Sequence, residues 1–219
     1  MGLSINLESK SGKISLNDAS TGVAILPNLY SVAEFSDGSS VTTSGEQTII
    51  QNKGGNHIHR PGSNDRPGIT LELNRANHNS VTLQLKIHNT TNSPLKLETL
   101  SPMVCDGINL GTSPKHLLFY RTGWQSWSPT GTVMLQKDKL PSGPPVVSPI
   151  IRSPHDTELN SAWAAAIRGK RSATLLAGFL TAINQLSTLR LTKKGSVWAS
   201  CHLEGTLLEK GATEISELL

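Results

Sequence analysis

Hydrophobic and polar positions alternate with a period of two over much of this chain, a pattern that predicts strands rather than helices. It is clearest between residues 69 and 88. Ile69, Leu71 and Leu73 alternate with Thr70, Glu72 and Asn74; after a polar turn, Val81, Leu83, Leu85 and Ile87 alternate with Thr82, Gln84, Lys86 and His88. Such a hairpin turns one face to a core and the other to water. Shorter β-capable runs predict strands at 14–16, 23–26, 30–35, 41–51, 95–104, 116–120, 175–182, 185–192, 197–203 and 206–208, divided by turns such as Asp37-Gly38. In 197–204 the alternation puts Val197, Ala199, Cys201 and Leu203 on one face and Trp198, Ser200, His202 and Glu204 on the other. Trp198 is therefore a large ring on a polar face, open to two readings: packing beneath a long loop, or contact with a neighbouring domain or subunit, since interfaces recruit Trp.

Three stretches break the pattern. Residues 52–68 carry glycines, two prolines and many polar groups, and read as a surface loop. Within it His57 and His59 flank Ile58, a spacing that sets both imidazoles on one side of an extended segment; Asp65 is the one further donor nearby, and catalytic zinc takes three protein ligands, so solvated histidines are expected rather than a metal centre. Residues 135–154 are rich in Pro, Ser and Gly and read as a long crossing of the kind that lines binding sites. Residues 161–167, SAWAAAI, are ambiguous, because Ala164, Ala165 and Ala166 favour helix by local propensity.

The densest chemistry lies at 119–131, FYRTGWQSWSPTG. The chain is only 4% aromatic, yet Phe119, Tyr120, Trp124 and Trp127 fall together there, interleaved with Arg121, Gln125, Ser126 and Ser128. Gly123 frees the backbone to turn, and Pro129 and Gly131 close the segment, so a loop is expected after Tyr120. One reading is a plug of buried rings. The other is sugar recognition, in which the C–H face of a pyranose stacks on an indole while amide, hydroxyl and guanidinium groups meet its hydroxyls.

The totals narrow the field. At 219 residues the chain suits one large domain or two small ones, and its low charged content of 16% with abundant Ser, Thr, Asn and Gly suits strands and turns. A net charge of +4 and a pI of about 9.2 invite a nucleic-acid reading. The basic residues are divided, however, between Arg168, Lys170 and Arg171 around Gly169 and the Lys193-Lys194-Gly195 turn, instead of forming one stripe, so no nucleic-acid partner is expected. The start MGLSINLESK lacks the apolar run of a signal peptide and no later segment approaches a membrane span, so no membrane partner is expected and the chain reads as soluble and cytoplasmic. Cys105 and Cys201 lack metal spacing and read as reduced, buried thiols. No Ser-His-Asp arrangement, phosphate loop or zinc pattern occurs, no pair of carboxylates is nominated for glycoside hydrolysis, and no cofactor is implied.

The run YRTGWQSWSP resembles the signature of the N-terminal domain of the melibiase family of glycoside hydrolases, the retaining α-galactosidases and their relatives (glycoside hydrolase family 36). SAWAAAI at 161–167 and LAGFLTAINQL at 176–186 resemble the family's later strands, and LEKGATEISELL at 208–219 resembles the run leading out of that domain. The resemblance implies an all-β fold, a large antiparallel β-sandwich of the supersandwich, galactose-mutarotase-like kind over 1–219, with 161–167 a strand. It also implies what is missing: the family's two catalytic aspartates sit in a (β/α)8 barrel after the sandwich and have no counterpart here, so the chain is expected to be a fragment or a split gene product. Carried over by position, Trp124 and Trp127 are the candidate sugar-walling rings with Arg121 and Gln125 as hydrogen-bonding partners. Apart from the resemblance, Trp198, as a ring on a polar face, and Tyr120 are candidate interface residues. The implied partners are the barrel of the same polypeptide, an α-galactoside and further copies of the chain. A freestanding carbohydrate-binding module, a purely structural or oligomerising domain, and galactosyl transfer in place of hydrolysis stay open.

Overall fold

The computed structural model describes residues 2–8, 13–45, 48–52, 55–123, 130–134, 158–169 and 174–219. Apart from one 3-10 turn at Pro114–His116, every regular element among them is a strand: β1 Leu3–Glu8, β2 Lys13–Asp18, β3 Ala24–Phe35, β4 Ser40–Thr42, β5 Thr48–Asn52, β6 Gly55–Arg60, β7 Gly68–Asn77, β8 Ser80–His88, β9 Leu95–Cys105, β10 Leu118–Arg121, β11 Gly131–Met134, β12 Glu158–Ala162, β13 Ala164–Arg168, β14 Thr174–Gly178, β15 Leu186–Thr192, β16 Val197–Leu208 and β17 Thr213–Ile215.

These strands form an antiparallel β-sandwich. One layer is an eight-stranded sheet in the order β1-β2-β3-β9-β16-β15-β12, with β4 added beside β3. The facing layer is made of a five-stranded sheet, β17-β8-β7-β6-β5, and a four-stranded sheet, β11-β10-β13-β14. The core shows how they meet: Leu26, Met103, Leu189 and Ala199 of the large sheet pack in one cluster with Ile58, Leu71 and Leu83 of the five-stranded sheet and Phe119, Val133 and Ile167 of the four-stranded sheet. A second cluster joins Leu97, Leu100 and Cys201 to Ile69, Leu85 and Ile87. The 69–88 hairpin forms as its alternation predicts, pairing Ile69 with Ile87, Leu71 with Leu85 and Leu73 with Leu83. All six side chains are buried, each contributing on the order of 2 kcal/mol by leaving water.

The structure corrects several sequence expectations. Residues 52–68 are not simply a loop, because Gly55–Arg60 is a strand that pairs with β5 and β7. Its one buried residue, Ile58, sits opposite Leu71, so a single apolar side chain carries the pattern where the period-two signal is too short to read. Residues 161–167 are extended, but as two strands: β12 pairs with β15 in the large sheet and β13 with β10 and β14 in the opposite layer. The break is Trp163, at φ 57. Flanking strands on both sides outweigh the helical preference of the three alanines. Leu3–Glu8 adds a strand, the runs at 23–26 and 30–35 fuse into β3, and 41–51 divides into β4 and β5. The runs at 197–203 and 206–208 are one strand, with the register to β9 shifted between His202 and Thr206, where Glu204 and Gly205 both have positive φ.

Candidate functional site

The segment singled out by its rings leaves and re-enters the fold at adjacent strands. β10 and β11 are paired antiparallel with Arg121 opposite Gly131, and the Gly123 N–H donates to the Thr130 hydroxyl at 2.9 Å, tying the two ends of the connection together. Its base is fixed to the other layer as well. The Thr122 N–H donates to Ser161 Oγ at 2.7 Å, the Ala162 N–H donates to the Thr122 carbonyl at 3.0 Å, and the Thr122 hydroxyl donates to the Ala162 carbonyl. Thr122 is thus stapled to the β12–β13 corner. Trp124, Gln125 and Trp127 lie outside the described residues, as does the whole of 135–154.

Arg121 and Tyr120 are described, and strand alternation sends them to opposite faces of the four-stranded sheet. Arg121 shares the inner face with the fully buried Phe119, whereas Tyr120 is 42% exposed on the outer face. Arg121 is half-buried, and its register neighbours are Gly131 and Ala165, which offer no polar side chain. Its Nη2 is closed off from solvent and finds no hydrogen-bond partner among the described residues. Burial holds the guanidinium below its ordinary pKa. A buried guanidinium N–H without an acceptor costs free energy until an acceptor reaches it.

Trp198 lies on the outer face of the large sheet in a cross-strand row that runs Asn160, Arg190, Trp198, Val104, Tyr30. Arg190 stacks over the indole, 4.7 Å from the ring centroid, and the Tyr30 hydroxyl donates to Asp106 at 3.2 Å. Burial, then the Asp106 carboxylate, push the Tyr30 phenol up. Half-buried Trp198 is therefore gripped by a cation within its own sheet, on a different layer from the 119–131 segment.

His57 and His59 point to the same side of β6, as their spacing predicts, but each meets a neighbour on β7: His57 Nδ1 is 3.6 Å from the Glu72 carboxylate and His59 Nδ1 is 2.8 Å from Thr70 Oγ1. Among the described residues no three His, Cys, Asp or Glu side chains come together in metal-holding geometry. Cys105 and Cys201 are free and buried, and burial pushes both thiols up to about 11. No helix among the described residues is long and apolar enough to cross a membrane.

Two features carry no sequence signal. A cavity of about 390 Å³ opens where β16 bulges, lined by Asn184, Gln185, His202, Glu204, Thr206 and Glu214 among others. Beside it, the buried Glu217 carboxylate accepts the N–H groups of Ile183 (2.9 Å), Asn184 (2.7 Å) and Gln185 (3.2 Å). The Glu217 N–H in turn donates to Gln185 Oε1 at 3.2 Å, and the Leu218 N–H to Thr181 Oγ1 at 2.9 Å. These bonds clasp the final residues to the 179–185 turn. Burial opposes the charge on Glu217, but the Thr181 hydroxyl and the three N–H donors outweigh it and hold the carboxyl below its ordinary value. Compared with known families and with curated proteins, the chain matches no family model and no curated sequence.

Proposed function

We propose that this chain is the N-terminal accessory β-sandwich of an α-galactosidase-like retaining glycoside hydrolase, acting on terminal α-galactosides, with its reactive carboxylates in a barrel of the same polypeptide. The sandwich carries no nucleophile in this reading. Its part is to hold the 119–131 hairpin at the sugar site, with Trp124 and Trp127 as stacking surfaces and Arg121 and Gln125 as hydrogen-bonding groups.

The observation that carries this reading is the Arg121 Nη2 nitrogen, enclosed yet without an acceptor among the described residues, at the root of the aromatic segment. A guanidinium offers five donors in a fixed fork, and a pyranose hydroxyl is an acceptor of the right polarity for one left over. The stapling of Thr122 to Ser161 and Ala162 gives that fork a rigid base, as positioning of a substrate requires.

The test uses the complete polypeptide of sandwich and barrel with an aryl α-galactoside. Arg121→Met and Trp127→Ala are each expected to lower kcat/KM by about tenfold or more, the loss that goes with one charge-assisted hydrogen bond or one stacking face. The sandwich alone is expected to release no galactose. An unchanged kcat/KM in both variants, or turnover by the purified sandwich, refutes the reading.

A further inference from the structure

The cavity of about 390 Å³ lies where the start of β15, the bulge of β16 and β17 meet, and its size is near the lower end of the ~300–1,000 Å³ range of small-molecule sites. Glu214 is the residue out of pattern there. Register sets it opposite the fully buried Ile87, so it takes the inward side of β17, while Lys86 and His88 lie opposite Ile215 and Thr213 on the other side. Across the cavity β16 contributes Glu204, exposed and held at φ 51 beside Gly205. The hydrogen-bonding capacity left in the wall is one-sided. Gln185 is spent: its Nε2 donates to Glu214 Oε1 and to the Ile215 carbonyl, both at 2.9 Å, and its Oε1 accepts the Glu217 N–H. The Thr206 hydroxyl donates to the Leu203 carbonyl at 2.7 Å, and His202 Nε2 is shared with Thr188 Oγ1 at 2.8 Å. Glu214 Oε2 and both carboxylate oxygens of Glu204, by contrast, meet no donor among the described residues. What the wall offers a guest is acceptors.

We propose that this cavity binds a small aliphatic polyamine, whose ammonium groups donate to Glu204 and Glu214 and whose methylene chain lies against Leu186 and Leu203. An alkylammonium offers donors and no acceptor, the complement of such a wall, and its bonds to carboxylates are charge-assisted. The charges around the cavity point the same way. No Lys or Arg lines it among the described residues. Arg190, which acts on His202, is stacked over Trp198, and Glu34 acts on the same imidazole with the opposite sign. A further carboxylate stands behind the bulge, since a Cβ at Gly205 would be 3.7 Å from Glu98 Oε1. A chain of net charge +4 repels cations as a whole, so attraction of one here depends on this local surplus of carboxylate. A phosphate or carboxylate ligand would meet only like charge.

Isothermal titration calorimetry of the full chain with spermidine tests this, against triethylene glycol, a probe of equal chain length without charge. Spermidine is expected to bind with a Kd on the order of 0.1 mM, and triethylene glycol at least tenfold more weakly. Glu204→Gln is expected to weaken spermidine binding at least tenfold while leaving the unfolding midpoint unchanged, since that side chain is in solvent. Glu214→Gln is expected to do the same to binding; because Glu214 also holds Gln185, Glu204→Gln carries the test if the second variant does not fold. Asp65→Asn, which removes an equal charge from the distant β6–β7 connection, is expected to leave binding unchanged. No spermidine binding at about 1 mM, triethylene glycol binding as tightly, or an affinity that Glu204→Gln leaves unchanged overturns the proposal. So does an equal loss in Asp65→Asn, which would mark attraction to the chain's charge at large. Each of these failures leaves the saccharide reading untouched, because that is read from kcat/KM.

Discussion

Replacing Glu217 probes the contact that closes the sandwich. The residue is 6% exposed and one carboxylate oxygen takes three backbone N–H groups. Hydrogen bonds to a charged group contribute about 1.5–3 kcal/mol each, but three donors sharing one oxygen do not add. Ile183 and Asn184 are exposed, so their N–H groups can turn to water when the carboxylate is gone, whereas Gln185 is buried and its N–H cannot. Glu217→Ala is therefore expected to cost about 2–3 kcal/mol, and Glu217→Gln, which keeps one neutral acceptor, about 1 kcal/mol. In urea, with a slope of ~2–3 kcal/mol/M, the alanine variant should unfold about 1 M earlier with the slope unchanged. The pH dependence gives an independent check. Because the folded carboxyl lies below its unfolded value, its contribution is complete above the ordinary Glu range and is lost as pH falls through and below that range. His202, held low by burial and then by Arg190 against the pull of Glu34, favours its neutral form in the fold; its contribution is complete above the ordinary His range and is lost as pH falls below it. Wild type and Glu217→Gln should share the histidine part and diverge only in the carboxylate range. An alanine variant within 0.5 kcal/mol of wild type, or two superimposable acid profiles, refutes the reasoning.

Two further outcomes follow from packing. A Cβ at Gly62 would collide with Thr90 Oγ1 and stand 2.6 Å from the Gly68 nitrogen, so Gly62→Ala is expected to cost about 2 kcal/mol or more by displacing the β6–β7 connection, measurable as a lowered thermal midpoint. The raised thiols of Cys105 and Cys201 should resist alkylation by iodoacetamide at pH 8 in the folded chain and react once it is unfolded in urea; rapid native labelling of either would contradict their burial.

The strands that could be read from the sequence are those whose alternation is long enough to outvote local noise. Residues 69–88 show this plainly, with an unbroken inward series from Ile69 to Leu73 and from Leu83 to Ile87. β6 stayed hidden because Ile58 is its only strong inward side chain amid Asn, His and Gly. The division of 161–167 was invisible for another reason: a left-handed Trp163 has no sequence signature, since positive φ is the habit of Gly, Asn and Asp. Gly205 was a usable clue, splitting the expected strand where the structure has a bulge. At the candidate site, the opposed directions of Tyr120 and Arg121 follow from strand alternation alone. The staple from Thr122 to Ser161 and the Glu217 clasp do not, because they join residues far apart in sequence that only the folded topology brings together.

Trp163 alone separates a strand of one layer from a strand of the other. With so little slack, the two layers cannot shear past each other by even one strand spacing without tearing the Trp163 N–H from the Ser187 carbonyl and the Phe179 N–H from the Trp163 carbonyl. The corner works as a rivet. Any movement of the four-stranded sheet relative to the large sheet must therefore strain this corner and the Thr122 bond to Ser161 beside it.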